Sequence, residues 1–190
     1  VGGANNMLTT DLYWVGGKWF FNSWNVVYST VDFRSFVTVV DTDIVVGKDN
    51  TIDAFWTDGT LFYIGLRAGA GSVGKFCWVS SDGGQTWNNL SLSVLQAADR
   101  DPLGYCGVNR IKLFKGIVFM YVPSNIPDSW YFSVDWGINF KKLASVGWLF
   151  PLDDYLLGTG QFGVYRSDDG LSWSMIYGQI FQPIALPTTS

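Results

Sequence analysis

The chain has 190 residues, 48% hydrophobic and 15% charged, with a formal net charge of −4. That length fits one domain or two small ones, and that apolar fraction builds a core and excludes a disordered chain. Twelve scattered Lys and Arg give no basic stripe, so nucleic acid is not an expected partner. No apolar run approaches the roughly 18–20 residues of a membrane span, and Ile117 to Val122 suits a buried strand. The start at Val1, without Met and without a basic-then-apolar leader, reads as a processed or excised piece of a longer polypeptide.

Two absences limit the chemistry. There is no His, and all 16 acidic residues are Asp. The commonest general base, the commonest metal ligand and any Ser-His-Asp or Cys-His arrangement are therefore missing, and no cofactor or metal is expected. Cys77 and Cys106 match no zinc spacing; they form one disulfide or, the plainer reading, two buried thiols. Ten Trp and 22 Gly favour strands joined by tight turns.

In chain order, Leu12-Tyr13-Trp14, Gly16-Gly17 and Lys18-Trp19-Phe20-Phe21 read as strand, turn, strand. A third strand, Val26-Val27-Tyr28, leads into Thr30-Val31-Asp32-Phe33-Arg34-Ser35-Phe36. Ala54-Phe55-Trp56, Thr57 to Thr60 and Leu61-Phe62-Tyr63-Ile64 repeat the plan, with Asp58-Gly59 as the hairpin signal. The strand Lys75 to Val79 then leads into Ser80-Ser81-Asp82-Gly83-Gly84-Gln85-Thr86-Trp87. The third instance runs Ile111 to Phe114, Lys115-Gly116 and Ile117 to Val122. Its next strand, Trp130-Tyr131-Phe132, leads into Ser133-Val134-Asp135-Trp136-Gly137-Ile138-Asn139-Phe140. The fourth runs Trp148 to Phe150, Pro151 to Asp154 and Tyr155 to Leu157. It continues with Gly163-Val164-Tyr165, then Ser167-Asp168-Asp169-Gly170-Leu171-Ser172-Trp173.

The segments after each third strand resemble the Asp box, S-x-D-x-G-x-T-W, of sialidases and related propellers. Ser80, Asp82, Gly84, Thr86 and Trp87 match every fixed position. Ser133, Asp135, Gly137 and Phe140 give a second copy; Asp168, Gly170, Ser172 and Trp173 give a third; Asp32 anchors a degenerate fourth without the glycine. These Asp residues follow one another at 50, 53 and 33 residues. The expected role of the carboxylate is to accept turn N–H groups while glycine takes a positive φ. In the family, the boxes lie on the periphery and are structural.

The resemblance implies an all-β chain: a β-propeller of four-stranded antiparallel blades, four in number or part of a larger ring. One domain spans residues 1–190, with blades near 1–45, 46–97, 98–143 and 144–190. Sialidases place three arginines on the substrate carboxylate, a Tyr nucleophile activated by Glu, and an F/Y-R-I-P motif near the start. Here the nearest approach is Phe33-Arg34-Ser35-Phe36, and Glu is absent, so sialidase chemistry is not expected. Another glycoside hydrolase could use two Asp carboxylates. The loops offer Asp99, Asp101, Asp128, Asp153 and Asp154, of which Asp153-Asp154 sits in a turn, and no pair stands out.

The remaining expectation is a non-catalytic module that binds a glycan or a cell-surface receptor through aromatic platforms and loops. Trp24 breaks the strand register beside Asn22 and Asn25 and is the first candidate, with a core position as its competing reading. The links Arg67 to Gly74, Gln96 to Gly107 and Pro123 to Ser129 vary between repeats and offer further surface. Asp-box propellers also occur in bacteriophage tail and virion proteins, so an extracellular or virion-surface receptor-binding part is one expectation by analogy of fold. A glycosidase, or a structural virion subunit that binds other virion proteins, is the alternative.

Overall fold

A computed structural model describes residues 11–46, 51–68, 77–90, 106–122, 129–143, 146–160 and 162–178. They form four antiparallel sheets with strands in sequence order. The first holds β1 (Leu12–Val15), β2 (Lys18–Ser23), β3 (Val26–Thr30) and β4 (Val37–Asp41). A one-turn helix that the sequence does not announce, α1 (Thr42–Val45), follows β4 and is capped by Asp41, whose Oδ1 accepts the Asp43 N–H at 3.0 Å. The second sheet holds β5 (Thr51–Thr57), β6 (Phe62–Ala68), β7 (Cys77–Ser80) and β8 (Asn88–Asn89), with short β9 (Cys106–Gly107) beside β6. The third holds β10 (Arg110–Phe114), β11 (Ile117–Val122), β12 (Ser129–Ser133) and β13 (Lys141–Leu143). The fourth holds β14 (Trp148–Pro151), β15 (Leu156–Gly160), β16 (Gly163–Ser167) and β17 (Ser174–Gly178). Each sheet contains a four-stranded meander, the blade of a propeller, and the second adds β9 beside β6. The fold is all-β and of β-propeller type.

The local chemistry explains the hairpins. The two-residue β1–β2 turn has φ of 57° and 79° at Gly16 and Gly17, the pair of positive angles that matches strand twist. Lys115 and Gly116 repeat it between β10 and β11 at 48° and 78°. Alternation then fixes the faces. In the first sheet Trp14, Trp19 and Thr30 share one face while Tyr13, Phe20 and Ser29 share the other.

The chain divides into two compact units, Val1–Ala144 and Ser145–Ser190. In the first, three sheets stack face to face and the opening strands β1, β5 and β10 lie side by side. Phe20, Val27 and Val40 of the first sheet pack on Ile52, Phe55, Phe62 and Ile64 of the second. The opposite face of the second sheet, with Ala54, Tyr63 and Cys77, packs on Ile111, Val118, Met120 and Tyr131 of the third. Full burial of each large side chain contributes roughly 1.5–3 kcal/mol. The stack tolerates no extra volume at Gly65, where a Cβ would collide with the backbone carbonyl of Val108. In the second unit, Leu149, Leu156 and Ser167 are buried on one face of the fourth sheet, and Trp148, Phe150 and Tyr177 stand exposed on the other.

Candidate functional site

Trp24 sits in the two-residue link between β2 and β3, where the register pairs Ser23 with Val26. Such a turn favours Asn or Gly, yet Trp24 holds φ at 54° and leaves 58% of its surface in solvent. The competing core position is thus excluded, and the sequence-level candidate is exposed. Its backbone is pinned from several sides. The Trp24 carbonyl accepts the Ile52 N–H at 2.8 Å, and the Asn25 carbonyl accepts both the Thr42 N–H (2.8 Å) and its hydroxyl (3.0 Å). Asn25 Nδ2 donates to Asp41 Oδ1 at 3.1 Å, and buried Asn22 donates through Nδ2 to the Ile52 carbonyl at 3.1 Å. The result is a wet indole on a turn braced against β5 and α1.

Among the described residues, four that are not glycine have positive φ: Trp24, Phe33, Lys115 and Trp136. Three are aromatics at least half exposed. A left-handed conformation costs an L-residue about 1–2 kcal/mol, and an exposed aromatic forgoes its burial. Strain of this kind persists where the surroundings over-determine it and clusters at binding sites.

The four Ser/Thr-x-Asp turns are built alike. Ser80 Oγ donates to Asp82 Oδ1 at 2.8 Å and accepts the Gly84 N–H at 2.9 Å. Asp82 Oδ1 accepts the N–H groups of Gln85 (3.0 Å) and Thr86 (2.9 Å), and Oδ2 accepts the Thr86 hydroxyl at 2.6 Å. Trp87 closes the turn by donating from Nε1 to the Gly84 carbonyl at 3.0 Å. Ser133 repeats this with Asp135 (2.6 Å) and Gly137 (2.8 Å), and Asn139 donates from its backbone and side chain to the Asp135 carboxylate. Asp32 accepts from Arg34 and Ser35 while Thr30 Oγ1 accepts from Phe33. These hydrogen bonds hold the Asp82 and Asp135 carboxyls down at about 2, led by the Thr86 hydroxyl in the first and the Ser133 hydroxyl in the second.

The fourth turn corrects the sequence reading. The capping carboxylate is Asp169, not Asp168. Asp169 Oδ1 accepts from the Ser167 hydroxyl (3.0 Å) and from the N–H groups of Leu171 (2.8 Å) and Ser172 (2.7 Å), and Ser167 Oγ accepts the Gly170 N–H at 2.8 Å. Asp168 points away and pairs with Arg166 Nε at 2.8 Å. The residue after the capping Asp is left-handed in all four turns: Phe33, Gly83, Trp136 and Gly170. Asp32 and Asp169 each stand four residues before the closing aromatic, whereas Asp82 and Asp135 stand five before it. The first turn is therefore the short form that the fourth also uses, and Phe33 fills the place of Gly170.

Two further clusters escaped sequence reasoning. Asp11 Oδ1 lies 3.8 Å from Lys112 Nζ, joining the first blade to the third beside the Tyr13 hydroxyl, which donates to the Phe55 carbonyl at 3.1 Å. Burial raises the Asp11 carboxyl above its ordinary range against the opposing pull of Lys112 and Arg110. A cleft of about 340 Å³ between the first two blades is lined by Lys18, Phe20, Gly59, Phe62, Gly84 and Gln85. Only the juxtaposition of strands that are distant in sequence creates either feature.

Among the described residues no group of three or more His, Cys or Asp could hold a metal, and no helix is long and apolar enough to cross a membrane. Asp153 and Asp154 are exposed in the β14–β15 turn, whereas Asp99, Asp101, Asp128 and most of the three variable links lie outside the described residues. Cys77 is a free, buried thiol whose burial raises its pKa.

No known family model matches the chain, and no curated protein matches it. In fold it is similar to two solved structures of the extracellular domain of BT4673 from B. thetaiotaomicron. One is described as a one-component system (TM-score 0.57, 15% identity) and the other as a hybrid two-component system (TM-score 0.55, 15% identity). The matches cover 93% and 92% of this chain but 23% of each of those chains, so this chain spans about a quarter of the length of the structures it matches.

Proposed function

We propose that the chain is a non-catalytic binding module that recognises a glycan or receptor at a cell surface, with Trp24 as its aromatic platform. The observation that carries the reading is an indole 58% exposed, at φ 54°, on a turn braced by hydrogen bonds to β5 and α1. Folding alone gains little from that arrangement. A ligand gains a flat apolar surface on a backbone already held in place, next in sequence to Asn25, whose amide donates to the Asp41 carboxylate. Stacking on the apolar face of a sugar ring, with amide and carboxylate groups for its hydroxyls, suits that chemistry.

Membership of the Asp-box propellers is part of the proposal, supported by four turns in each of which an Asp carboxylate accepts turn N–H groups. An extracellular setting is supported by fold likeness to extracellular domains. A place on a virion surface, as a phage receptor-binding part, rests on analogy with Asp-box propellers of that kind.

The test is a glycan array probed with the full chain, followed by prolonged incubation of the bound glycans and of an aryl glycoside panel. Retention of specific glycans without cleavage supports the module. Cleavage that Asp153→Asn or Asp101→Asn abolishes would establish the glycosidase reading instead.

A further inference from the structure

In each of the four sheets one face carries the Ser or Thr that opens the Ser/Thr-x-Asp turn. Ser80 shares a face with Phe62, Ile64 and Phe55, and that face packs on the first sheet. Ser133 shares a face with Val118, Met120 and Ile111, and that face packs on the second sheet. The rule is that the face bearing the turn hydroxyl meets the opposite face of the preceding blade.

Among the described residues, the corresponding face of the first sheet stays largely exposed. Thr30 shares its face with Trp19, Trp14, Phe21 and Leu12, and Phe33 and Phe36 fold onto it. The rings form a continuous cluster with centroids 5.0–6.3 Å apart from Trp14 through Trp19 and Phe33 to Phe21. Yet Leu12, Trp14, Phe33 and Phe36 remain 45–55% exposed. The fourth sheet offers the complement. Its hydroxyl face, with Ser167, Leu156 and Leu149, is buried, while Trp148, Phe150 and Tyr177 on the opposite face are 48–70% exposed.

We propose that the first blade's aromatic face receives the exposed face of the fourth blade of a second copy of this chain, so that copies associate head to tail. Area supports this occupant. Half-exposed side chains of this size offer roughly 100 Å² each, so the six aromatics and Leu12 together supply about 700 Å² of apolar surface. With the polar share that interfaces carry, about 40% of their area, the total exceeds the roughly 1,000 Å² that a specific interface needs. The contact is heterologous, and its copies close a ring or grow as a chain.

Sedimentation velocity of the full chain over a concentration series tests this. Association is expected, and Trp14→Asp and Tyr177→Asp should each return the protein to monomer while far-UV circular dichroism is unchanged. Mixing Trp14→Cys protein with Tyr177→Cys protein under mild oxidation should give a covalent dimer at least tenfold more abundant than either gives alone. A wild type that stays monomeric overturns the proposal, as does association that survives whichever Asp variant folds. A cross-link formed only within a chain carrying both cysteines would show closure of one copy on itself and would also overturn it.

Discussion

Replacing Ser133 by Ala removes one hydroxyl from the turn between β12 and β13. Ser133 is 1% exposed, accepts the N–H of buried Gly137 at 2.8 Å and donates to Asp135 at 2.6 Å. The turn around it is closely packed: a Cβ at Gly137 would already meet Leu90 at 2.8 Å, and the Tyr63 hydroxyl donates to the neighbouring Trp136 carbonyl at 3.2 Å. Water therefore has little room to replace the lost acceptor. A buried N–H left unpaired costs about 1–3 kcal/mol. At roughly 2–4 °C per kcal/mol for a chain of this size, the melting temperature should fall by about 2–12 °C. Thermal and urea denaturation followed by tryptophan fluorescence and circular dichroism measure it, with agreement between probes as the check that one transition is being read. A loss below about 0.5 kcal/mol, the ordinary scatter of surface substitutions, would refute the claim that this hydroxyl holds the turn.

Asp169→Ala should lower the melting temperature measurably while Asp168→Ala leaves it nearly unchanged; the reverse order would restore the sequence-level assignment. Gly65→Ala should cost about 1–3 kcal/mol or more, because the new methyl meets backbone rather than a movable side chain; a neutral outcome in urea denaturation would refute the close approach of Val108. The carboxyls of Asp82 and Asp135 are held at about 2, below their ordinary 3.8. Their contribution is therefore fully present above about pH 4 and lost as pH falls toward 2. An acid titration of stability should show that loss, and a flat profile from pH 5 to 2 would count against the turn hydrogen bonds.

The blades were legible because the signals are local. Gly16-Gly17, Lys115-Gly116 and the alternation of strands such as Leu12 to Trp14 each specify a hairpin within a few residues. The fourth turn misleads because Ser167-Asp168-Asp169-Gly170 offers two carboxylates. Matching the Asp-to-Gly spacing selects Asp168, whereas the hydrogen bond from Ser167 selects the residue two positions on, as it does for Asp82 and Asp135. The first turn looked degenerate because its left-handed position holds Phe33 in place of glycine. Trp24 was singled out by its break in register, but its exposure and its brace depend on Ile52, Asp41 and Thr42, which only the folded chain brings beside it. The Asp11–Lys112 contact is likewise non-local.

The proposed role of Trp24 is that of an aromatic platform held out for a ligand. Trp24→Gly removes the indole and supplies the residue that the 54° φ favours, so the variant should be at least as stable as the wild type. The deciding measurement is the glycan array probed with wild type and Trp24→Gly at equal concentration and confirmed equal folding. Glycans retained by the wild type should lose at least tenfold of their signal with the variant, whereas retention at wild-type strength would show that Trp24 is not the platform.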